Sequence, residues 1–188
     1  MKRSVNLIAC ALLTLAWVAV AQTDKPKDEH RTATQVLDHA VSNLEREFVP
    51  AAEAMPEEKY GFAPTNGEFK GVRTFAGQIK HVAAVNYELA GAILEEKPPA
   101  EVGEESGPAN VTSKADVLKY LKDSFAYVHK AIATINEKNL VETVKSPFGE
   151  GSVSRLALAM SVGSHGFDHY GQMVEYLRMN GIVPPASR

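Results

Sequence analysis

Cysteine is nearly absent from this chain. The single one, Cys10, lies inside an apolar N-terminal run. Once that run is removed no thiol remains, which excludes disulfides, thiolate metal ligands and cysteine nucleophiles. Leu7-Ile8-Ala9-Cys10 superficially matches a bacterial lipoprotein cleavage box. Cleavage there would leave almost no apolar segment ahead of it, which argues against lipidation. Positive charge is also scarce: 20 basic residues face 23 acidic ones, a net charge of -3. Without a basic stripe the chain lacks the electrostatic footprint of a nucleic-acid-binding protein. Internal repeats are missing, and strand signals are nearly so.

What remains is an ordinary globular composition, 45% hydrophobic and 23% charged over 188 residues. That length suits one domain with its own core. Lys2 and Arg3 followed by the apolar stretch Val5 to Val20 and the small-x-small sequence Ala19-Val20-Ala21 predict a signal peptide over residues 1–21. The run is short for a membrane span and is interrupted by Asn6, Cys10 and Thr14. The expectation is an exported protein, periplasmic or extracellular, that starts at Gln22 and keeps no stable membrane span. Loss of Lys2 and Arg3 leaves 18 basic residues against 23 acidic ones, a net charge of -5. Residues 22–30 are polar and read as a flexible lead-in.

Four apolar-periodic segments follow, and they predict an all-α fold, a four-helix bundle with long loops. In the first, about residues 32–54, Val36, Leu37, Ala40, Val41, Leu44 and Phe48 make one stripe, and Pro50 should kink or interrupt it. In the second, about 74–96, the stripe is Phe75, Ile79, Val82, Val85, Leu89 and Ile93, stopped by Pro98-Pro99. The third begins at Ser113 as cap, with Asp116 near the positive helix end, and buries Val117, Leu121, Val128, Ile132 and Ile135. A loop with Pro147, Gly149 and Gly151 leads to the fourth, about 153–180, which stops at Asn180-Gly181.

The fourth segment carries His165 and His169. A spacing of four sets two imidazoles on one helical face, in the same seam as Leu158, Val162 and Met173. Neutral imidazole is a good ligand for zinc, nickel, copper or iron. Spacing alone leaves two readings open, a shared metal or two ordinary histidines. His81 stands at the edge of the second helix's apolar face and could supply a third ligand. His129 and His39 are weaker candidates, and His30 falls in the lead-in. Gly163, Gly166 and Gly171 either clear space around the imidazoles or mark a break in the helix. The sequence is not the His-Glu-x-x-His protease motif; it is nearer the inverted form, with Asp168 in the acid position, in a chain too small and too helical for that class. Asp168 could instead orient an imidazole. Glu88 and Glu175 lie beyond the histidines on their own helices, where solvated surface acids are the ordinary reading.

Three segments carry a family resemblance. The end of the chain, from His165-Gly-Phe-Asp-His-Tyr-Gly-Gln to Pro185, resembles the closing helix of the DinB-like family. Met55 to Pro64 resembles its first loop, and Arg73-Thr-Phe-Ala-Gly-Gln-Ile-Lys-His81 its second helix. The resemblance spans residues 31–185. It implies a four-helix bundle with a divalent metal, zinc or nickel, held by His81, His165 and His169. It also implies a homodimer, and some members of the family transfer low-molecular-weight thiols to electrophiles or isomerise small acids with a thiol. Three histidine ligands would leave an open metal position, which could support hydrolysis or group transfer on a small molecule. A non-catalytic metal-binding or interaction module of the cell envelope is the alternative.

Overall fold

The computed structural model describes residues 31–188; the signal peptide and lead-in expected over residues 1–30 lie outside the described residues. Within them the chain forms four long helices: α1 (Ala33–Ala54), α2 (Phe75–Leu94), α3 (Lys114–Ile132) and α4 (Arg155–Met179). Short 3-10 turns follow at Glu57–Lys59 and Pro185–Ser187. No helix among the described residues is long and apolar enough to cross a membrane.

Each helix starts on a hydroxyl cap. The side chains of Thr32, Thr74, Ser113 and Ser154 accept the backbone N–H groups of Gln35, Gly77, Asp116 and Ala157. This satisfies donors that have no partner inside a helix. Thr32 and Gln35 form a full capping box. At the other end of α4, Gly181 takes a left-handed φ of 73°, and the Ile182 N–H returns to the Leu177 carbonyl, which closes the helix.

Packing fixes which helices are neighbours. α2 lies against α3 and α4, and α1 lies against the same two helices, so α1 and α2 face each other across the bundle. The seams expected on α2, α3 and α4 are buried, with Ile79, Leu89, Leu121, Ile132 and Met173 fully enclosed. On α1 only part of the expected stripe turns inward. Val41, Leu44 and Phe48 are buried, whereas Val36 is 53% exposed and Ala40 is exposed too. In the first turns of α1 only Leu37 packs against the core, while Val36 and Ala40 lie on the outer face.

Two expectations about local structure change. Pro50 does not interrupt α1, which continues to Ala54. Phe48, Ala51 and Ala52 are completely buried on either side of it, and that packing holds the turn despite the missing N–H. The loop before α4 is a small antiparallel hairpin, β1 (Thr143–Lys145) and β2 (Ser152–Ser154), with Val144 opposite Val153. Three-residue strands are too short to show an alternating pattern.

Gly166 sets the distance between α1 and α4. A Cβ there would stand 2.2 Å from Leu44 Cδ2 and 3.0 Å from Cδ1, and Leu44 is fully buried. Gly163 and Gly171 meet nothing within 4 Å, and α4 is unbroken through all three glycines. The clearance reading therefore holds at Gly166, where the neighbour is a helix rather than an imidazole. Gly166→Ala should destabilise by about 1–3 kcal/mol through overpacking. Gly163→Ala should stabilise by about 0.5–1 kcal/mol through helix propensity. Urea titration of both variants checks the opposite signs; equal effects would contradict the assigned contact.

Candidate metal centre

α2 and α4 bring His81, His165 and His169 to one wall. Their ring centroids lie 4.9 Å (81–165), 4.7 Å (81–169) and 4.5 Å (165–169) apart. One nitrogen from each falls within 4.8 Å of the others. The Nε2 atoms of His81 and His165 are 3.0 Å apart. Two ligands about 2.0–2.1 Å from a tetrahedral ion stand roughly 3.3 Å apart, so the spacing is close to what one ion requires. The weaker candidates are elsewhere. His39 is exposed, and His129 places Nδ1 2.6 Å from Asp38 and Nε2 3.2 Å from Glu45, on the α1–α3 face.

The far nitrogens decide which atom is free for a metal. His81 Nδ1 stands 2.6 Å from the Glu105 carbonyl, which can only accept, so Nδ1 carries the proton and Nε2 the lone pair. His169 reaches the same state through a chain of amides. Asp168 accepts from Gln172 Nε2 at 3.1 Å, Gln172 Oε1 accepts from Gln78 Nε2 at 2.9 Å, and Gln78 Oε1 faces His169 Nδ1 at 2.6 Å. A carboxylate at one end orients both amides, so Gln78 presents its oxygen and His169 must donate. Nε2 of His169 is again left with its lone pair. His165 differs: its Nδ1 is buried with no partner among the described residues. Without an ion, His165 Nε2–H can donate to the lone pair of His81. Were His165 to hold an ion through Nε2, its proton would sit on Nδ1.

Burial favours the neutral rings that coordination needs. It is the largest cause that lowers the pKa of His165 and of His169 to about 4. The facing imidazoles come next, His169 and then His81 for His165, and His81 for His169; the Arg73 charge adds to both, and Asp168 opposes. His81 is lowered as well, by burial first, against its hydrogen bond to Glu105. The donor set and its fixed lone pairs therefore fit a divalent ion that accepts imidazole.

Much of this second layer was not legible in the sequence. Gln78 is one turn before His81 and 2% exposed, and nothing in its spacing distinguishes it from a boundary residue. The Glu105 carbonyl reaches His81 because Gly103, Glu104 and Glu105 take left-handed φ values of 54°, 50° and 62° in succession. That conformation is costly for glutamate. Lys80, donating to the Pro108 carbonyl at 2.7 Å, and Tyr120, donating to the Glu101 carbonyl at 2.8 Å, pin this loop over α2. Asp168 acts on an imidazole as anticipated, though through two glutamines. Glu175 is exposed, as read; Glu88 is half-buried, contrary to a solvated acid.

The histidines open on a cleft of about 630 Å³, also lined by Val85, Glu105, Phe148, Ser161 and Asp168. A helical bundle with three converging imidazoles at an open cleft is a compact class, and comparison identifies it. The DinB superfamily profile matches residues 40–173, and the chain belongs to that superfamily. No curated protein matches. Among solved structures, a conserved protein from Enterococcus faecalis is similar at a TM-score of 0.63 and 18% identity, over 80% of this chain and 98% of that one. A DinB-like protein from Bacillus cereus is similar at 0.62 and 15% identity, over 79% and 93%. YfiT from Bacillus subtilis, described as a probable metal-dependent hydrolase with an unusual four-helix bundle topology, is similar at 0.54 and 17% identity, over 84% and 94%. At these identities the likeness concerns the fold.

Two outcomes are expected. In metal titrations followed by calorimetry, His81→Ala, His165→Ala and His169→Ala should each weaken zinc binding severely. Gln78→Leu should weaken it about 10–100-fold by freeing the His169 tautomer, and His39→Ala and His129→Ala should leave it unchanged. Wild-type affinity in His81→Ala would refute the site. The second concerns pH. Unfolded histidine takes its proton near about 6.5. A folded pKa lowered to about 4 means that the stabilisation is complete above the unfolded value and is lost as pH falls toward 4. The urea midpoint of metal-free protein should fall over that window, less steeply in His169→Gln. Equal slopes would contradict the buried neutral rings.

Proposed function

We propose that this is an exported, metal-dependent enzyme of the DinB superfamily, a hydrolase or transferase acting on a small molecule, with His81, His165 and His169 holding zinc or nickel. The observation that carries the reading is the convergence of three neutral imidazoles, two with assigned lone pairs, on an open cleft. Three protein ligands leave a position for water or substrate, the arrangement of catalytic rather than structural zinc sites. The ion, when bound, supplies Lewis-acid activation of a water or of a substrate oxygen.

The chain's own residues supply the rest. Glu105 and Gln78 hold the ligand rings, which keeps the donor atoms from rotating away. Asp168 anchors the amide chain from the cleft itself. Phe148, at the tip of the hairpin and 44% exposed, gives the cleft an apolar wall, and Ser161 lines it with a hydroxyl. Ser146 fixes that tip by accepting the Phe148 N–H at 3.1 Å while its hydroxyl donates to the Phe148 carbonyl at 2.9 Å. Export is supported by Lys2, Arg3, the apolar run and Ala19-Val20-Ala21.

The test is to recover the protein from an expressing bacterium without a histidine tag, sequence its N-terminus, and assay it with zinc or nickel against esters, amides and phosphate esters. The expected result is a chain that starts at Gln22 and turnover that requires the metal, stops with a chelator and is lost in His165→Ala. Stoichiometric metal binding with no turnover across these classes would favour the non-catalytic module. An intact Met1 on soluble cytoplasmic protein would refute export.

A further inference from the structure

A second cavity of about 640 Å³ lies beside the metal cleft. The two are joined by one helix face and one loop. On α2, His81 and Val85 line the cleft, while Glu88 and Ala92 line the second cavity, which the left-handed cap residue Glu95 also lines. The four α2 positions step along the helix by three or four, so they form one stripe. On the hairpin loop, Phe148 faces the cleft while Pro147 and Gly149 line the second cavity. Phe148 thus stands at the boundary between the two cavities.

Two carboxylates of the second cavity are already matched. Glu95 pairs with Arg155 at 2.6 Å, and Glu96 with Lys130 at 2.8 Å. Lys145, on the hairpin, lines the same cavity and comes within 4 Å of no described carboxylate, so Glu88 too is left without a charged partner. The Oε2 atom of Glu88 is buried and has no hydrogen-bond partner among the described residues. Burial raises its pKa, and the nearby charge of Glu105 raises it further. A buried acceptor without a donor is costly, and a second carboxylate nearby favours a cation as the missing partner. Around it Gly91, Ala92, Pro98, Val102 and Pro147 offer apolar surface. Seven residues of helix at about 1.5 Å each set Glu88 about 10 Å beyond His81.

We propose that the cavity beside Phe148 is a second subsite of the metal cleft, where Glu88 receives the ammonium group of an aliphatic amine whose reacting end lies at the three histidines. The span rests on the metal reading of those histidines. The substrate class is then an amine-bearing organic molecule with an apolar chain between its amine and its reacting group. Glu88 donates no ligand to the metal; it selects and orients.

Two probes test this by calorimetry on zinc-loaded protein: hexanohydroxamate, which can chelate the ion, and 6-aminohexanohydroxamate, which adds the amine. The amine should tighten binding about tenfold or more in wild type. The gain should vanish in Glu88→Gln, with hexanohydroxamate unchanged. Ala92→Phe, which fills the cavity from the same helix, should weaken both six-carbon probes and spare acetohydroxamate. Equal affinity of the two probes for wild type, or a gain that persists in Glu88→Gln, would overturn the subsite. Failure of all hydroxamates would instead count against the metal. The subsite would then be judged on hexylammonium alone: Glu88-dependent binding supports it, and no binding overturns it.

Discussion

Three imidazole rings packed into one wall between α2 and α4 pose the problem that the rest of the structure answers. Lone pairs on facing nitrogens repel, protons on them clash, and burial disfavours charging any of the rings. The protein fixes two of the three from behind. A backbone carbonyl on a left-handed loop holds His81, and an amide chain ending at Asp168 holds His169. The price is backbone strain at Glu104 and Glu105. Such strain is retained where its consequence is useful, and here it turns the Nε2 atom of His81 toward His165. Of the three, His165 alone has no partner behind it among the described residues, and its Nε2 meets that of His81.

The bundle makes this wall by holding α2 and α4 side by side. Gly166 lets α1 close against α4 one residue from His165, and Leu44 fills the space a methyl would take. Arg155, at the first turn of α4, donates to the Ile93 carbonyl and pairs with Glu95, which ties it to the end of α2. Positive charge there also suits the negative end of a helix. The hairpin packs β1 against α2 and β2 against α4, and places Phe148 on the metal cleft. Scaffold and site are thus set by the same few contacts.

The sequence showed the helices and the three histidines for different physical reasons. Long amphipathic segments declare themselves by period, and all four helices fall close to the expected limits. His165 and His169 declare themselves by a spacing of four, whereas His81 needed the family resemblance, since a lone boundary histidine has no signature. The hairpin escaped because its strands are three residues long. Gln78, Gln172 and the Glu105 carbonyl escaped because their roles arise from tertiary approach, which local pattern does not encode. Glu88 was misread because a carboxylate two turns beyond His81 on a helix is ordinarily a solvated surface acid, and only the folded structure shows that its Oε2 is enclosed.

The central claim is that the three rings form one coordination site with their Nε2 atoms turned inward. X-ray absorption spectroscopy of the zinc-loaded protein tests it most directly. The account predicts one bound zinc whose first shell fits three imidazole nitrogens at about 2.0–2.1 Å plus one lighter exogenous ligand. A first shell made only of oxygen, or one with fewer than three imidazoles, would contradict it.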